Sequence, residues 1–445
     1  MTKVKTGFWG LLAALTILWV AADPFALTGT GFFAFRSGMV QITGILAMGC
    51  MTAAMILALR PRWPERWFGG LDKMYRLHKW LGIGGLVLAV LHWLWSQGPK
   101  WAVGYGWLTR PPRGPRPVPG SDIEGVLRGL RGTAEDIGEW AFYAAVLLIA
   151  VALIQRIPYR IFHKTHRWLA AVYLVLVFHS VVLTDFGYWT TPLGIVMAVL
   201  MAYGSIAAVI VLLRRVGAGR QVQGSIADLT YYPELRVLEG AVSVPQGWTG
   251  HRAGQFAFVT SDTAEGAHPY TIASAWNDAE RRVTFITKEL GDHTRTLRDR
   301  LRVGQPVKIE GPYGCFTFDD GNPRQIWVGA GIGITPFIAR MKQIALDSPG
   351  TPQQIDLFHP TSDYSAEAIA KLTADAARAG VRLHVLHDAR QGRLNGDRIR
   401  AEVPEWREAS IWFCGPAGFG QALRQDFAAH GLPRDRFHQE LFAMR

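Results

Sequence analysis

Up to about residue 215 the chain consists of long apolar runs; beyond it, short strand-like runs alternate with polar turns and helical stretches. Six apolar segments stand out, at 8–27, 41–59, 77–96, 140–154, 168–183 and 192–213. Crossing a bilayer takes about 20 mostly apolar residues, so the fourth and fifth need help from their flanks. The first, preceded by Lys3 and Lys5 and followed by Ala21 and Ala22, also has the layout of a signal peptide. Either reading leaves the C-terminal half on the same side of the membrane.

After Arg220 the runs LRVLEGAVSV, GQFAFVT, RRVTFITKEL and PVKIEG are separated by Gly, Pro and Asp, which predicts a small antiparallel β-barrel. From Gln325 onward QIWVGA, QIDLFHP, VRLHVLHD and SIWFCGP alternate with helical stretches, the βαβ pattern of an open parallel sheet. The predicted architecture is multi-domain: a six-helix transmembrane bundle over 1–216, a barrel over 217–322 and an α/β Rossmann-like domain over 323–445.

Composition agrees with a membrane protein, since 49% of the 445 residues are hydrophobic and only 18% charged. The net charge of +12 does not point to nucleic acid, because no basic run with interleaved aromatics occurs in the soluble half. Much of it flanks apolar segments, where it orients the chain and attracts anionic lipid. The short loops 60–79, 156–167 and 214–220 are rich in Arg and Lys and fall on one side if the spans alternate. That side is expected to be cytoplasmic, with both termini and the soluble module on it and the spans in the inner (plasma) membrane. The basic, Pro-rich loop 97–135 runs against this assignment, though longer loops obey the rule less strictly.

Only Cys50, Cys315 and Cys414 occur, without a CxxC, which excludes a cysteine-ligated iron–sulfur cluster and a disulfide framework. Histidine is the conspicuous alternative ligand. His78 and His92 bound the third apolar segment, and His166 and His179 frame the fifth. Histidine within a bilayer is costly unless it faces the interior with a partner, and imidazole is a common axial ligand of haem iron. Pairing His78 with His166 and His92 with His179 would give two metal sites for two stacked haems, one near each leaflet. Fourteen residues return His92 to within roughly 40° of His78, about 21 Å along the axis. Thirteen residues leave His166 and His179 about 140° apart on an ideal helix, so a distortion has to absorb the difference. The alternative is that these histidines merely hydrogen-bond helix ends, which fits His166 and His78 better than the other two.

The spacing, the six spans and the soluble tail resemble the ferric reductase and NADPH oxidase superfamily, in particular its bacterial members. That resemblance implies two haems on these four histidines, and Arg36 as a candidate partner of a haem propionate. The soluble half carries matching motifs. HPYTIAS at 268–274 resembles the family's flavin motif, with Tyr270 in the usual Phe position. By resemblance His268, Pro269, Tyr270, Thr271 and Ser274 contact FAD. KELGDHT at 288–294 resembles the segment that meets the FAD pyrophosphate, with Lys288, Gly291, His293 and Thr294 as candidates and free amides at a helix start. GAGIGITPF at 329–337 follows a strand and opens a helix, so Gly329, Gly331, Gly333, Thr335 and Pro336 are placed to receive a nicotinamide dinucleotide.

FCGP at 413–416 ends a later strand, and the resemblance puts Cys414, Gly415 and Pro416 near hydride transfer. It makes Phe442 the aromatic over the flavin face and puts Glu440 near the flavin. No arginine follows the strand QIDLFHP to clamp a 2′-phosphate, although Arg390 and Arg393 follow the next one; NADPH is preferred to NADH on resemblance alone. The expected activity is transmembrane NAD(P)H oxidation with dioxygen or a ferric chelate as extracytoplasmic acceptor. An electron-transfer subunit feeding a separate redox protein is the alternative, and a nucleotide-binding transporter or sensor is disfavoured by the two motifs.

Overall fold

The structure is a computed structural model and describes residues 2–29, 31–109, 120–154, 156–347 and 353–440. Most of residues 1–216 form one compact unit and residues 217–444 another.

The first unit contains α1 (Thr2–Ala22), α2 (Phe32–Ala58), α3 (Arg62–Phe68), α4 (Leu71–Gly104), α5 (Asp122–Gly129), α6 (Arg131–Leu153), α7 (Tyr159–His166), α8 (Leu169–Leu183) and α9 (Pro192–Leu212). Six stretches are long and apolar enough to cross a membrane: α1, α2, α4, α6, α7 continuing into α8, and α9. The helices overrun the apolar segments. α4 reaches 34 residues and α2 begins at Phe32, because a helix continues past the hydrocarbon wherever its polar residues stay hydrated. α2 is the central helix. Its apolar window is 56% buried, against 28% for α9 and at most 17% for the others. Around it Leu15, Trp19, Met48, Met201 and Tyr173 make a continuous core. Thr52 on α2 and Tyr173 on α8 share a buried hydrogen bond of 2.8 Å. Large apolar side chains such as Ile17, Leu147, Val199 and Ile206 stay exposed on the outside, as lipid-facing positions require.

Pro99 sits inside α4 and has no N–H for the carbonyl of Trp95 four residues earlier. Arg36 fills the gap: its Nε donates to the Trp95 carbonyl at 3.0 Å and its Nη2 to that of Ser96 at 3.0 Å. The guanidinium predicted for a propionate is therefore committed, at least in these two bonds, to the backbone of α4. Arg36→Leu is expected to lower thermal stability in detergent by roughly 1–3 kcal/mol, the cost of leaving buried acceptors unpaired. In a Pro99→Ala background, where residue 99 regains its N–H, the loss should shrink. An equal loss in both backgrounds would remove this account of Arg36.

The second unit joins two sheets. β1 (Gln221–Tyr232), β2 (Val237–Ser243), β3 (Phe256–Thr260), β4 (His268–Thr271), β5 (Arg282–Lys288), α10 (Asp292–Arg300) and β6 (Pro306–Tyr313) make up the first part. Its antiparallel sheet has the order β4-β3-β6-β1-β2-β5. A bridge between Ile272 and Phe285 links the two edges, so the sheet closes as the barrel that the alternating pattern predicts. Ile226, Val242, Ile272, Val283 and Ile309 fill its interior.

The second part holds β7 (Arg324–Gly329), α11 (Thr335–Leu346), β8 (Gln354–Thr361), α12 (Ala366–Ala379), β9 (Arg382–His387), α13 (Asp388–Gln391), α14 (Gly396–Glu402), β10 (Ser410–Cys414), α15 (Ala417–Ala429) and β11 (Phe437–Gln439). The parallel order is β11-β10-β7-β8-β9. The chain winds one way from β7 and returns to the other side at β10, which opens a crevice at the carboxyl ends of these two strands. β7 and β10 are buried at every residue, with Phe337 and Phe413 fully enclosed on the two faces. Each such side chain contributes roughly 1.5–3 kcal/mol.

Candidate functional site

The four membrane histidines form two pairs at two levels. His78 and His166 have ring centroids 5.9 Å apart at 66°; His92 and His179 are 6.1 Å apart at 80°. The segment between His166 and His179 is not an uninterrupted α-helix. α7 ends at His166, Arg167 and Trp168 form a turn, and α8 starts at Leu169.

The rings are oriented by backbone carbonyls. Nδ1 of His78 bonds the Ala54 carbonyl at 2.9 Å, that of His92 the Val40 carbonyl at 2.9 Å, and that of His179 the Ala134 carbonyl at 2.8 Å. A carbonyl only accepts, so Nδ1 carries the proton and Nε2 keeps its lone pair. Ala54 and Val40 lie fourteen residues apart on α2, matching the spacing of His78 and His92 on α4. The central helix thus acts as the template for both levels. His166 is the exception, with Nδ1 buried and no hydrogen bond. Imidazole–metal bonds are about 2 Å long, so two rings on opposite sides of one ion have centroids about 6 Å apart. Both pairs meet that requirement.

Gly138 on α6 is a residue that sequence reasoning missed. A Cβ there would overlap the His179 imidazole at Nδ1. One glycine in an apolar helix carries no signal of this in a single sequence.

In the second unit, β4 and the start of α10 bring His268, Tyr270 and His293 together. The two imidazoles stack at 3.7 Å and 8°, and His293 Nε2 is 3.0 Å from the Tyr270 hydroxyl. Burial holds His293 below the usual histidine range. Glu265 reaches the same place, a carboxylate oxygen within 4.8 Å of a ring nitrogen of each histidine. The parallel rings do not aim at a common point, so the group suits a flat ligand better than an ion. Pro269 lies in the same strand, and Thr271 is buried beside it.

Two of these motif hydroxyls also bond within the chain. The Thr294 hydroxyl accepts from the amides of Leu290 and Gly291 at 3.0 and 3.1 Å, so those amides are used up within the turn. What remains is the first turn of α10, whose amides have no partner inside the helix. Ser274 faces the barrel: its hydroxyl accepts from the Thr284 amide at 3.1 Å and its carbonyl from His251 Nε2 at 3.0 Å. Its hydroxyl thus serves the barrel ladder. Lys288, at the end of β5, forms an ion pair with Asp363 beyond β8.

The Gly-rich turn lies where the topology opens the crevice. Gly329 ends β7 in register with Cys414 at the end of β10. Gly331 has φ +55°, and Gly333 packs so closely that a Cβ would overlap the Cys414 carbonyl. Thr335 and Pro336 then start α11, the Thr335 hydroxyl donating to Ile332 at 2.8 Å. His359, buried on β8, donates from Nδ1 to the Gly329 carbonyl at 2.7 Å and pins the start of the turn. Sequence reasoning passed over it because the contact is between strands.

Gly415 and Pro416 lead from β10 into α15. Cys414 is fully buried, and burial, then the neighbouring Glu440, push its thiol well above the usual range. It is a neutral thiol, not a nucleophile. Arg390 lies over the Tyr364 ring at 5.8 Å, beside His387 at the edge of the sheet. Among the described residues Arg393 joins no such group. Phe442 lies outside the described residues.

Residues 43–177 match the ferric reductase like transmembrane component family, and residues 221–317 match an FAD-binding domain family. An NADPH oxidoreductase of Mycobacterium tuberculosis is 32% identical over 185 residues, covering 40% of this chain and 47% of that protein. The ferredoxin reductase component of 3-ketosteroid-9-alpha-monooxygenase from Rhodococcus rhodochrous is 30% identical over 199 residues, 43% of this chain and 56% of that protein. The chain spans about half the length of these two curated relatives. Among solved structures, a cytochrome P450 reductase from Amycolatopsis aligns with TM-score 0.43 and 21% identity, over 50% of this chain and 70% of that one.

Proposed function

The chain joins a ferric reductase-like transmembrane domain to an FAD-binding, ferredoxin-reductase-like module, and from that premise we propose that it is a transmembrane NAD(P)H oxidoreductase with two b-type haems. The observation that carries this reading is the two imidazole pairs, stacked at two levels of the bundle with spacing suited to one ion each. His78 and His166 hold one haem, His92 and His179 the other. FAD lies along His268–Thr271 and the start of α10, and the nicotinamide dinucleotide on the turn from Gly329 to Thr335. Bound there, FAD takes a hydride and the haems carry single electrons.

The chain's own residues do the positioning. Carbonyls on α2 and α6 fix the tautomer of three ligating histidines, and the same bonds raise the basicity of Nε2. Tyr270 offers a ring face to the flavin, and its hydroxyl is braced by His293. Gly331 and Gly333 let backbone amides reach a pyrophosphate at the start of α11. Neutral Cys414 and Glu440 border the nicotinamide end of the crevice.

The spans alternate, so α4 and the α7–α8 span begin, and α9 ends, on one face of the bundle, the face that carries His78 and His166. That face is cytoplasmic by the positive-inside rule, and the acceptor, dioxygen or a ferric chelate, is reduced on the other. NADPH is the preferred donor, in keeping with the name of the mycobacterial relative.

The test is anaerobic stopped-flow of purified protein with NADPH, followed by mixing with oxygen or a ferric chelate. Flavin and then haem should be reduced, and at least one acceptor should reoxidise the haems. A flavin that reduces without any haem signal would sink the proposal. Haems that reduce but are reoxidised by neither acceptor would make the protein the feeder of a separate redox partner.

A further inference from the structure

Between the barrel and α11 lies a recess of about 290 Å³ that no residue of the flavin or nicotinamide reading lines. It falls near the lower end of small-ligand pockets, roughly 300–1,000 Å³, and is far larger than a single water needs. Arg340 on α11 opens into it, half-buried. Its Nε is buried without a hydrogen-bond partner, and no ion pair involves it among the described residues. Burial and the charge of Arg252 hold its guanidinium below the ordinary arginine range, with Asp347 acting the other way. That carboxylate is engaged by the Gln343 amide at 2.8 Å.

A buried N–H without an acceptor is costly, and an anion in the recess would give Arg340 Nε the partner it lacks. Arg252 lines the same recess and reaches Asp319 at the surface. Thr317 adds a hydroxyl, and Trp276 forms a wall whose ring lies 5.5 Å from that of buried His251. Burial lowers His251 to about 4, so it stays neutral near pH 7 and contributes no charge to the recess.

We propose that this recess binds a phosphate-bearing small molecule, its dianion held by Arg340 and Arg252 and any organic part lying against Trp276. Arg252 is shared with Asp319 and the Asp347 carboxylate borders the recess, so Arg340 is the principal anchor, and guanidinium geometry suits phosphate oxygens. The inference rests on the recess alone and stands apart from the electron path.

Isothermal titration of the detergent-solubilised, cofactor-loaded full chain with inorganic phosphate and with adenosine monophosphate tests it. Both should bind, and Arg340→Met should weaken both roughly tenfold or more, the loss expected when a charged hydrogen bond is removed. Unchanged flavin and haem spectra certify that this variant is folded; if it is not, Arg252→Gln carries the test with the same expected direction. Tighter binding of the nucleotide, lost in Trp276→Leu, identifies an organic phosphate as the ligand class. Equal binding of the two identifies free phosphate. No binding to the parent protein, unchanged binding in both arginine variants, or complete displacement by NADP+ overturns the proposal.

Discussion

His92→Leu and His179→Leu are each expected to reduce the haem content of the purified protein to about half while leaving NADPH-to-flavin transfer intact. Leucine fills much of the ring's volume but cannot coordinate iron, so the second imidazole of the pair is left alone. The substitution also strips the Val40 or Ala134 carbonyl of a donor, a further cost of about 1–3 kcal/mol. Gly138→Val should reproduce the His179 phenotype with every ligand still present, because its side chain would occupy the space of that imidazole. The measurement is the pyridine haemochrome content per flavin, with dithionite spectra to show which haem remains. Full haem content in both histidine variants would refute the ligand assignment. A normal Gly138→Val would refute only the steric account.

A second large effect is expected at Gly333. An alanine Cβ there meets the Cys414 carbonyl and lies 2.9 Å from the Gly415 amide nitrogen. These are backbone atoms, so the turn and the end of β10 have to move apart. Displacements of about 1 Å at a reacting centre cost on the order of 100-fold in rate. Flavin reduction by NADPH should therefore slow about 100-fold in Gly333→Ala, while haem content and reduction of the haems by dithionite stay at the parent level. Gly331→Ala provides the contrast. Its φ of +55° penalises alanine by about 1–2 kcal/mol, yet nothing lies within 4 Å of the new methyl. It should be less stable but much faster than Gly333→Ala. A Gly333→Ala rate within about twofold of the parent would show that the close approach is not needed for hydride transfer.

Both predictions start from residues that are visible in the sequence, but each depends on a contact that is not. His92 and His179 stand out because imidazole in an apolar run is expensive, and Gly333 because it belongs to a strand–turn–helix motif. The partner atoms, on Val40, Ala134, Gly138 and Cys414, come from other parts of the chain and bear no local mark. The same holds for Arg36. An arginine near a membrane face is easy to find, but its task depends on the missing N–H of Pro99 on another helix. Thr294 and Ser274 are expected at the flavin through the family resemblance of their motifs. Their hydroxyls also bond nearby amides, at the turn before α10 and on the barrel strand β5, contacts that the motifs do not reveal.

What the sequence determined by itself are the features encoded by local pattern: six apolar segments, the change of period near residue 216, the closed antiparallel barrel and the parallel sheet that follow, and the four histidines with their Gly-rich and HPYTIAS motifs. Hydrophobic period and turn chemistry act over a few residues, so they survive in a one-dimensional reading. Tertiary structure alone decided how those histidines meet. His166, just before the turn at Arg167–Trp168, meets His78, and His179 meets His92. The carbonyls of α2 set which nitrogen stays open, and Gly138 makes room for the ring at the other level. These are contacts between residues tens of positions apart, and only packing brings them to the same place.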